Sequence, residues 1–189
     1  MLATAQHTLI SEQDYLENEK TTEFKNEYLN GEIWTMAGAS DNHVTIAGNL
    51  SVLLKQKLKG KACRSYISAM KVKVASANAY FYPDVFVSCH PDDKKQEHYK
   101  EQPHFIAEVL SPSTEAYDRG DKFKYYQQLE SLQEYWLIDA QKMSVDCFTK
   151  QDNHVWILRS YSNLQDIANI ESLNIKLPIA ELYEETSIN

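Results

Sequence analysis

Two acidic residues stand where acids are costly. Asp84 lies in Tyr80–Cys89, a run otherwise rich in aromatic and β-branched residues, and Glu108 lies in His104–Leu110 with apolar neighbours on both sides. A carboxylate in such a setting must be paired or bind a metal to offset the cost of burial. If the two runs are neighbouring strands, about 4.8 Å apart, both carboxylates converge on one hard cation. Magnesium keeps several of its waters and suits two carboxylates plus a substrate phosphate. Singly, Asp84 reads equally well as a strand-start residue accepting a backbone N–H, and Glu108 as half of a buried salt bridge. Their coincidence on adjacent strands favours the metal site.

Lys122 and Tyr126 are four residues apart and so share a helix face. A helix returning over the sheet after Glu108 can set the Lys122 ammonium beside the carboxylates. There it would orient a water and offset charge building on a phosphorus centre. Tyr126 reads as a wall residue. His43 opens a long helix and Glu27 precedes a hairpin turn, both placed to reach the site edge. Asp118 reads as a helix N-cap and Arg119 as a phosphate contact. No nucleophile-elbow serine, P-loop or GxGxxG pattern is present.

The elements that must hold these residues can be read from periodicity and turn chemistry. Ser11 caps a short helix, and Asn30-Gly31 supplies the positive φ angles of a hairpin turn. Val44, Ala47, Leu50, Leu54 and Leu58 recur at helical spacing over Asp41–Lys59, with Gly60 as the stop. Tyr66–Ala75 and Tyr80–Cys89 read as two strands, His90–Pro103 as a charged surface loop, and His104–Leu110 as a strand. A helix is expected from Asp118 to about Glu130. Strands follow at Glu134–Ala140, Ser144–Thr149 and Val155–Ser160, then a last strand and a short helix after Pro178. The order implies an α/β fold in one domain, 1–189, with a single mixed sheet flanked by helices. An N-terminal hairpin precedes that sheet and a C-terminal β extension follows it.

Composition bounds the rest. At 43% hydrophobic and 24% charged the chain is that of a packed globular protein. Its net charge of −8 is unusual for a nucleic-acid enzyme, although a local basic patch and a bound cation both counter it. Lys55, Lys57, Lys59, Lys61 and Arg64 form one basic cluster, and Lys71 with Lys73 another; each reads as a phosphate contact or as a solvated helix end and strand face. Met1–Tyr15 has no basic, apolar leader pattern, and no run is long enough to cross a membrane. Cys63, Cys89 and Cys147 are far apart without a CxxC pair, which argues against a disulfide framework or zinc and for a reducing cytoplasm.

Several stretches together resemble a known family. They are GluTyrLeuAsnGlyGlu at 27–32, MetAlaGlyAlaSer before His43, ProAspVal at 83–85 and GluValLeuSerProSerThr at 108–114. AspArgGlyAspLysPhe at 118–123, Tyr126 and GluTyrTrpLeuIleAsp at 134–139 complete the set. The chain is similar to the Uma-two family of restriction-endonuclease-like proteins, formerly a domain of unknown function, within the PD-(D/E)XK nuclease superfamily. The resemblance implies a restriction-endonuclease-like fold and phosphodiester hydrolysis in DNA with Mg2+, Mn2+ being a substitute. It also implies Asp84 and Glu108 as metal ligands with the Val109 carbonyl beside them. The superfamily lysine stands two residues after the second acid, where this chain has Leu110, so Lys122 would be that lysine displaced onto the next helix. Ala69 stands where close relatives are expected to have aspartate. The expectation is a magnesium-dependent endodeoxyribonuclease acting on DNA, without a membrane, as a homodimer through exposed aromatic strands. The alternatives are a non-catalytic nucleic-acid- or protein-binding member and a hydrolase of smaller phosphoesters.

Overall fold

The structure, a computed structural model, describes residues 9–152 and 155–188. The leader reading of the first residues therefore lies largely outside the described part. The chain takes the mixed α/β class expected, with its strands divided between two large sheets rather than gathered in one. The first sheet has six strands in the order β11-β10-β9-β8-β6-β3. In chain order these are β3 (Arg64–Ile67), β6 (Val85–Ser88), β8 (Pro103–Leu110), β9 (Glu134–Asp139), β10 (Val145–Lys150) and β11 (Trp156–Tyr161). The second has five, β1 (Asn26–Leu29), β2 (Glu32–Thr35), β4 (Lys71–Val74), β5 (Ala79–Phe81) and β7 (Tyr99–Lys100), in the order β2-β1-β5-β4-β7. A two-stranded ribbon, β12 (Ile167–Ile170) with β13 (Ile175–Pro178), forms the C-terminal extension.

Local chemistry sets several boundaries. Ser11 caps α1 (Glu12–Asn18) by accepting the Asp14 amide N–H, and Ser40 caps α2 (Asp41–Lys57) through the His43 amide N–H. Asn30 and Gly31 adopt φ of 51° and 95°, the left-handed pair that closes the β1–β2 hairpin. Pro178 precedes α5 (Ile179–Leu182), as expected.

Where the outcome differs, the cause is visible. Each β-rich run that reads as one strand is two, because the chain changes sheets in mid-run. Tyr66–Ala75 breaks at the turn between β3 and β4, and Tyr80–Cys89 breaks at Tyr82-Pro83-Asp84 between β5 and β6. Pro83 has no N–H to offer a ladder, so it falls in the passage between sheets. Asp84 is thus a residue before a strand, not within one. On α2 the buried residues are Ile46, Leu50, Leu53 and Leu54, whereas Val44 is exposed, so the apolar stripe is rotated from the one expected. The His90–Pro103 segment is more than a surface loop. It contains β7, and Asp93 is buried within it, accepting from the Ser88 hydroxyl and the Glu101 and Gln102 amides.

The cysteine expectation is overturned. Cys63 and Cys89 form a disulfide. The antiparallel register of β3 and β6 puts Arg64 opposite Ser88, and one step further places the two cysteines face to face. Cross-strand register brings together residues that sequence distance separates, and the argument for a reducing compartment falls with the spacing argument. Among the described residues no helix is long and apolar enough to cross a membrane.

Strands β8 and β9 are the parallel pair of the six-stranded sheet. Parallel neighbours need a crossover connection, usually helical. Here the crossover is made by α3 (Glu115–Arg119) and α4 (Asp121–Tyr126). The sequence implies one helix from Asp118; the chain instead breaks at Gly120, where a Cβ would come 3.0 Å from the Ala116 carbonyl oxygen. The two faces of the sheet bury different partners. Phe105, Ala107 and Val109 pack with α2, the ribbon and α5, while Ile106 and Leu110 pack with Phe81, Phe123 and Tyr126.

Candidate active site

Val85 pairs with Ala107 across β6 and β8, so one further step along the register sets Asp84 against Glu108. The ladder stops there as backbone and continues through side chains. The Asp84 amide donates to Glu108 Oε2 at 3.2 Å, and the Val109 amide donates to Asp84 Oδ2 at 2.8 Å. This reciprocal pair of charge-assisted bonds fixes both carboxylates beside one another. Val109, expected through its carbonyl, enters here through its N–H.

Strand parity decides what meets Glu108. Its neighbours two residues away, Ile106 and Leu110, share its face, and that face is covered by the crossover. Tyr126 donates its hydroxyl to Glu108 Oε1 at 3.0 Å. The Lys122 ammonium lies 3.0 Å from Glu108 Oε1, 3.0 Å from Glu27 Oε1 and 3.6 Å from Asp118 Oδ1. Leu110 is buried in the apolar cluster with Phe123 and Tyr126, so the cation at this face comes from α4 instead of from β8.

The other residues singled out in the sequence divide in two. His43 places Nε2 3.0 Å from Asp84 Oδ1 at the more open edge of the cluster. Glu27 accepts the Tyr82 amide N–H at 3.0 Å as well as pairing with Lys122. Asp118 is buried inside α3 rather than capping a helix, and it faces Lys122. The sequence carries a sign of this, because Asp118 and Lys122 are at the four-residue spacing of helical ion pairs. Arg119 is not brought to the cluster; its guanidinium is held by Glu115 and Asp146, both at bonding distance. Of the two basic patches, Lys71 is buried against Tyr82 and Lys73 pairs with Glu12, so neither lies on a free strand face.

Charge explains the energetics of this place. Burial pushes the Glu108 carboxyl up to about 8; Lys122 opposes the rise, while Asp118, Asp84 and Glu27 add to it. Burial likewise raises Asp118 against the pull of Lys122. Burial works against the Lys122 charge, yet Glu108, Tyr126, Glu27 and Asp118 hold its ammonium well above the ordinary lysine range. For His43, burial is outweighed by the hydrogen bond and charge of Asp84, and the imidazole is raised.

Four carboxylates surround one ammonium and one imidazole, all of them half to fully buried. The donors are hard oxygens, and the buried His43 Nδ1 has no hydrogen-bond partner. Among the described residues no group of three or more His, Cys, Asp or Glu side chains is arranged to hold a metal. Two carboxylates completed by waters and substrate are the kind of hard-oxygen donor set magnesium takes; here the oxygens of Asp84 and Glu108 lie together, each with a protein partner.

Comparison with known proteins finds relatives over most of the chain. The uncharacterized protein slr1290 of Synechocystis sp. (strain ATCC 27184 / PCC 6803 / Kazusa) is 35% identical over 174 residues, covering 92% of this chain and 91% of its own. A second from that organism, sll1609, is 35% identical over 161 residues, covering 84% and 90%. The solved structure of a "putative nuclease belonging to DUF820" from Anabaena variabilis ATCC 29413 shares the fold, with a TM-score of 0.72 at 17% identity over 89% of this chain and 96% of that one. Residues 12–180 match a family throughout, and the chain belongs to it: Uma2, described as "Putative restriction endonuclease".

Proposed function

We propose that the chain is a metal-dependent endonuclease that hydrolyses phosphodiester bonds in DNA. The observation carrying this reading is the convergence of Asp84, just before β6, and Glu108 on the neighbouring β8, with the Lys122 ammonium 3.0 Å from Glu108. Asp84, Glu108 and the Val109 carbonyl would hold Mg2+, with Mn2+ able to replace it. The ion would polarise the scissile phosphate and lower the pKa of a bound water.

The chain's own residues do the rest. His43 and the Val109 amide hold the two oxygens of Asp84, so that carboxylate keeps one orientation. Tyr126 and the Asp84 amide do the same for Glu108. Lys122, held by Glu27 and Asp118, presents N–H donors at the side of Glu108. There it orients the attacking water and offsets the charge gathering on the phosphoryl oxygens. Pairing of two copies through the edge strand β11, where Ile157 and Leu158 are exposed, is the proposed dimer contact.

A second reading, a non-catalytic nucleic-acid-binding member, draws on one observation: Glu108 is 3% exposed and its oxygens already accept from three protein groups. Calorimetric titration of Mg2+ and Mn2+, with cleavage of plasmid and single-stranded DNA, separates the two. The nuclease reading expects metal binding and cutting by the wild type, both lost in Glu108→Ala and Asp84→Ala. Full activity in either folded variant would reject the site; a folded wild type that neither binds metal nor cuts would leave the binding module.

A further inference from the structure

From Asn42 to Pro83 the chain has no acidic residue, yet it has Lys55, Lys57, Lys59, Lys61, Arg64, Lys71 and Lys73. In a protein of net charge −8 this is a strong local reversal. Lys71 and Lys73 are taken up inside the five-stranded sheet. The other five are exposed, and among the described residues none forms an ion pair with a carboxylate. Such a concentration of cations attracts polyanions to this side of the molecule.

These side chains surround a definite shape. A groove of about 580 Å³ lies between the C-terminal half of α2 and the edge strand β3, with Lys55 and Arg64 on its walls and Tyr66, Ile67 and Met70 among its lining. Tyr66 is braced from beneath by Phe86, ring on ring at 4.9 Å. Ile67 is exposed and sits opposite Val85, one residue along from Asp84. The groove's wall strand β3 thus runs beside β6 from Arg64, opposite Ser88, to Ile67, whose partner Val85 adjoins Asp84; the candidate metal ligands do not themselves line the groove. From Arg64 to Ile67 is three steps along β3, about 10 Å at about 3.3 Å each.

We infer that this groove binds one strand of nucleic acid beside the scissile phosphate. Lys55 and Arg64 would hold backbone phosphates, and the apolar floor at Ile67 and Met70 would receive an unpaired base. Single strands are bound without regard to sequence by a positively charged groove with aromatic side chains for the bases to stack on; Lys55 and Arg64 supply the charge and Tyr66 is the aromatic of this lining. The groove's volume is that of a small-ligand site, which suits one unpaired nucleotide. The inference rests on the nuclease reading for the reason a strand should lie there, but its test does not depend on cutting.

Fluorescence anisotropy of a labelled 12-nucleotide oligo-dT, and of a duplex of equal length, is measured in EDTA so that no cleavage occurs. The wild type is compared with Lys55→Glu/Arg64→Glu and with Lys142→Glu/Lys176→Glu, a charge-matched pair on other surfaces. The expected result is single-strand binding weakened at least tenfold in the groove variant and much less in the control. The slope of log K against log salt should become shallower by about 0.7 for each phosphate that is no longer neutralised. Equal weakening in both variants would overturn the groove, as would tighter duplex binding or equal displacement of the strand by polyglutamate. If the groove variant binds and cuts like the wild type, the groove fails and the nuclease stands. If the wild type binds through the groove but never cuts with Mg2+, the groove stands and the nuclease fails.

Discussion

Two of the buried lysines lie within a few residues' reach of one another and are treated in opposite ways. Lys122 lies among Glu108, Glu27 and Asp118. Lys71, on β4, lies among tyrosines: its ammonium is 3.2 Å from the Tyr82 hydroxyl and 5.8 Å and 5.4 Å from the ring centres of Tyr15 and Tyr82. The carboxylates hold Lys122 above the ordinary lysine range, whereas burial pushes Lys71 below it, only partly opposed by Glu19. The two sites even touch, since the amide N–H of Tyr82 goes to Glu27 while its hydroxyl serves Lys71. Tyrosines satisfy an ammonium by hydrogen bond and ring quadrupole without adding charge. Carboxylates in excess of one lysine leave negative charge over, and only that surplus can recruit a cation. On the proposed function the aromatic site is structural support and the acidic one is the machinery.

The largest effect should come from breaking the acidic side. Lys122→Met removes the lysine held among Glu27, Glu108 and Asp118, and breaking a buried pair in this way costs about 3–5 kcal/mol. Loss of the donor at the phosphoryl oxygens should lower cleavage by about 10²–10³-fold. Thermal melting and a plasmid-nicking assay read both. A variant that melts and cuts like the wild type would erase the distinction between the two lysines.

Why one of these lysines can be recognised from sequence and the other not has a physical answer. Asp84 and Glu108 are legible because an acid inside an apolar run contradicts its surroundings, and Lys122 because a crossover helix after β8 must return over the same face. The roles of Asp118 and Glu27 depend on the break at Gly120 and on the passage of Glu27 into a second sheet, which periodicity does not encode. Lys71 alternates with Val72 and Val74 as a solvent-facing strand residue would. Only the stacking of the five-stranded sheet and α1 against it reveals that its outer side is covered. The Cys63–Cys89 link is hidden for the same reason, since register between distant strands is a tertiary fact.

Removing surplus charge without removing the lysine tests the acidic side more gently. Asp118→Asn keeps the shape and relieves one buried charge. Because burial raises the Asp118 pKa, the folded state holds that proton more tightly than the unfolded chain does. Its ionisation therefore costs stability as pH rises above 3.8, and the cost is absent in acid. The metal-free Asn variant should melt higher at neutral pH, a gain of about 1 kcal/mol appearing as about 2–4 °C. That advantage should vanish on titration down to the carboxylate range; an advantage independent of pH would assign it to packing.

The smallest effect belongs to the tyrosine side. Lys71→Met exchanges a desolvated ammonium for an apolar chain of similar length, and such exchanges are often neutral or mildly stabilising. A lowered lysine pKa means the folded state gives up the proton more readily. The cost of the charge is therefore full below the lowered pKa and fades as pH rises towards 10.5. The variant should melt within about 1 kcal/mol of the wild type at pH 7, on the stable side, with the gap closing in alkali. Its cleavage rate should be unchanged, because Tyr82 still gives its amide N–H to Glu27 and its hydroxyl to Glu19. A loss of cutting in a well-folded Lys71→Met protein would show that the aromatic site, through Tyr82, sets the position of Glu27 and so belongs to the machinery after all.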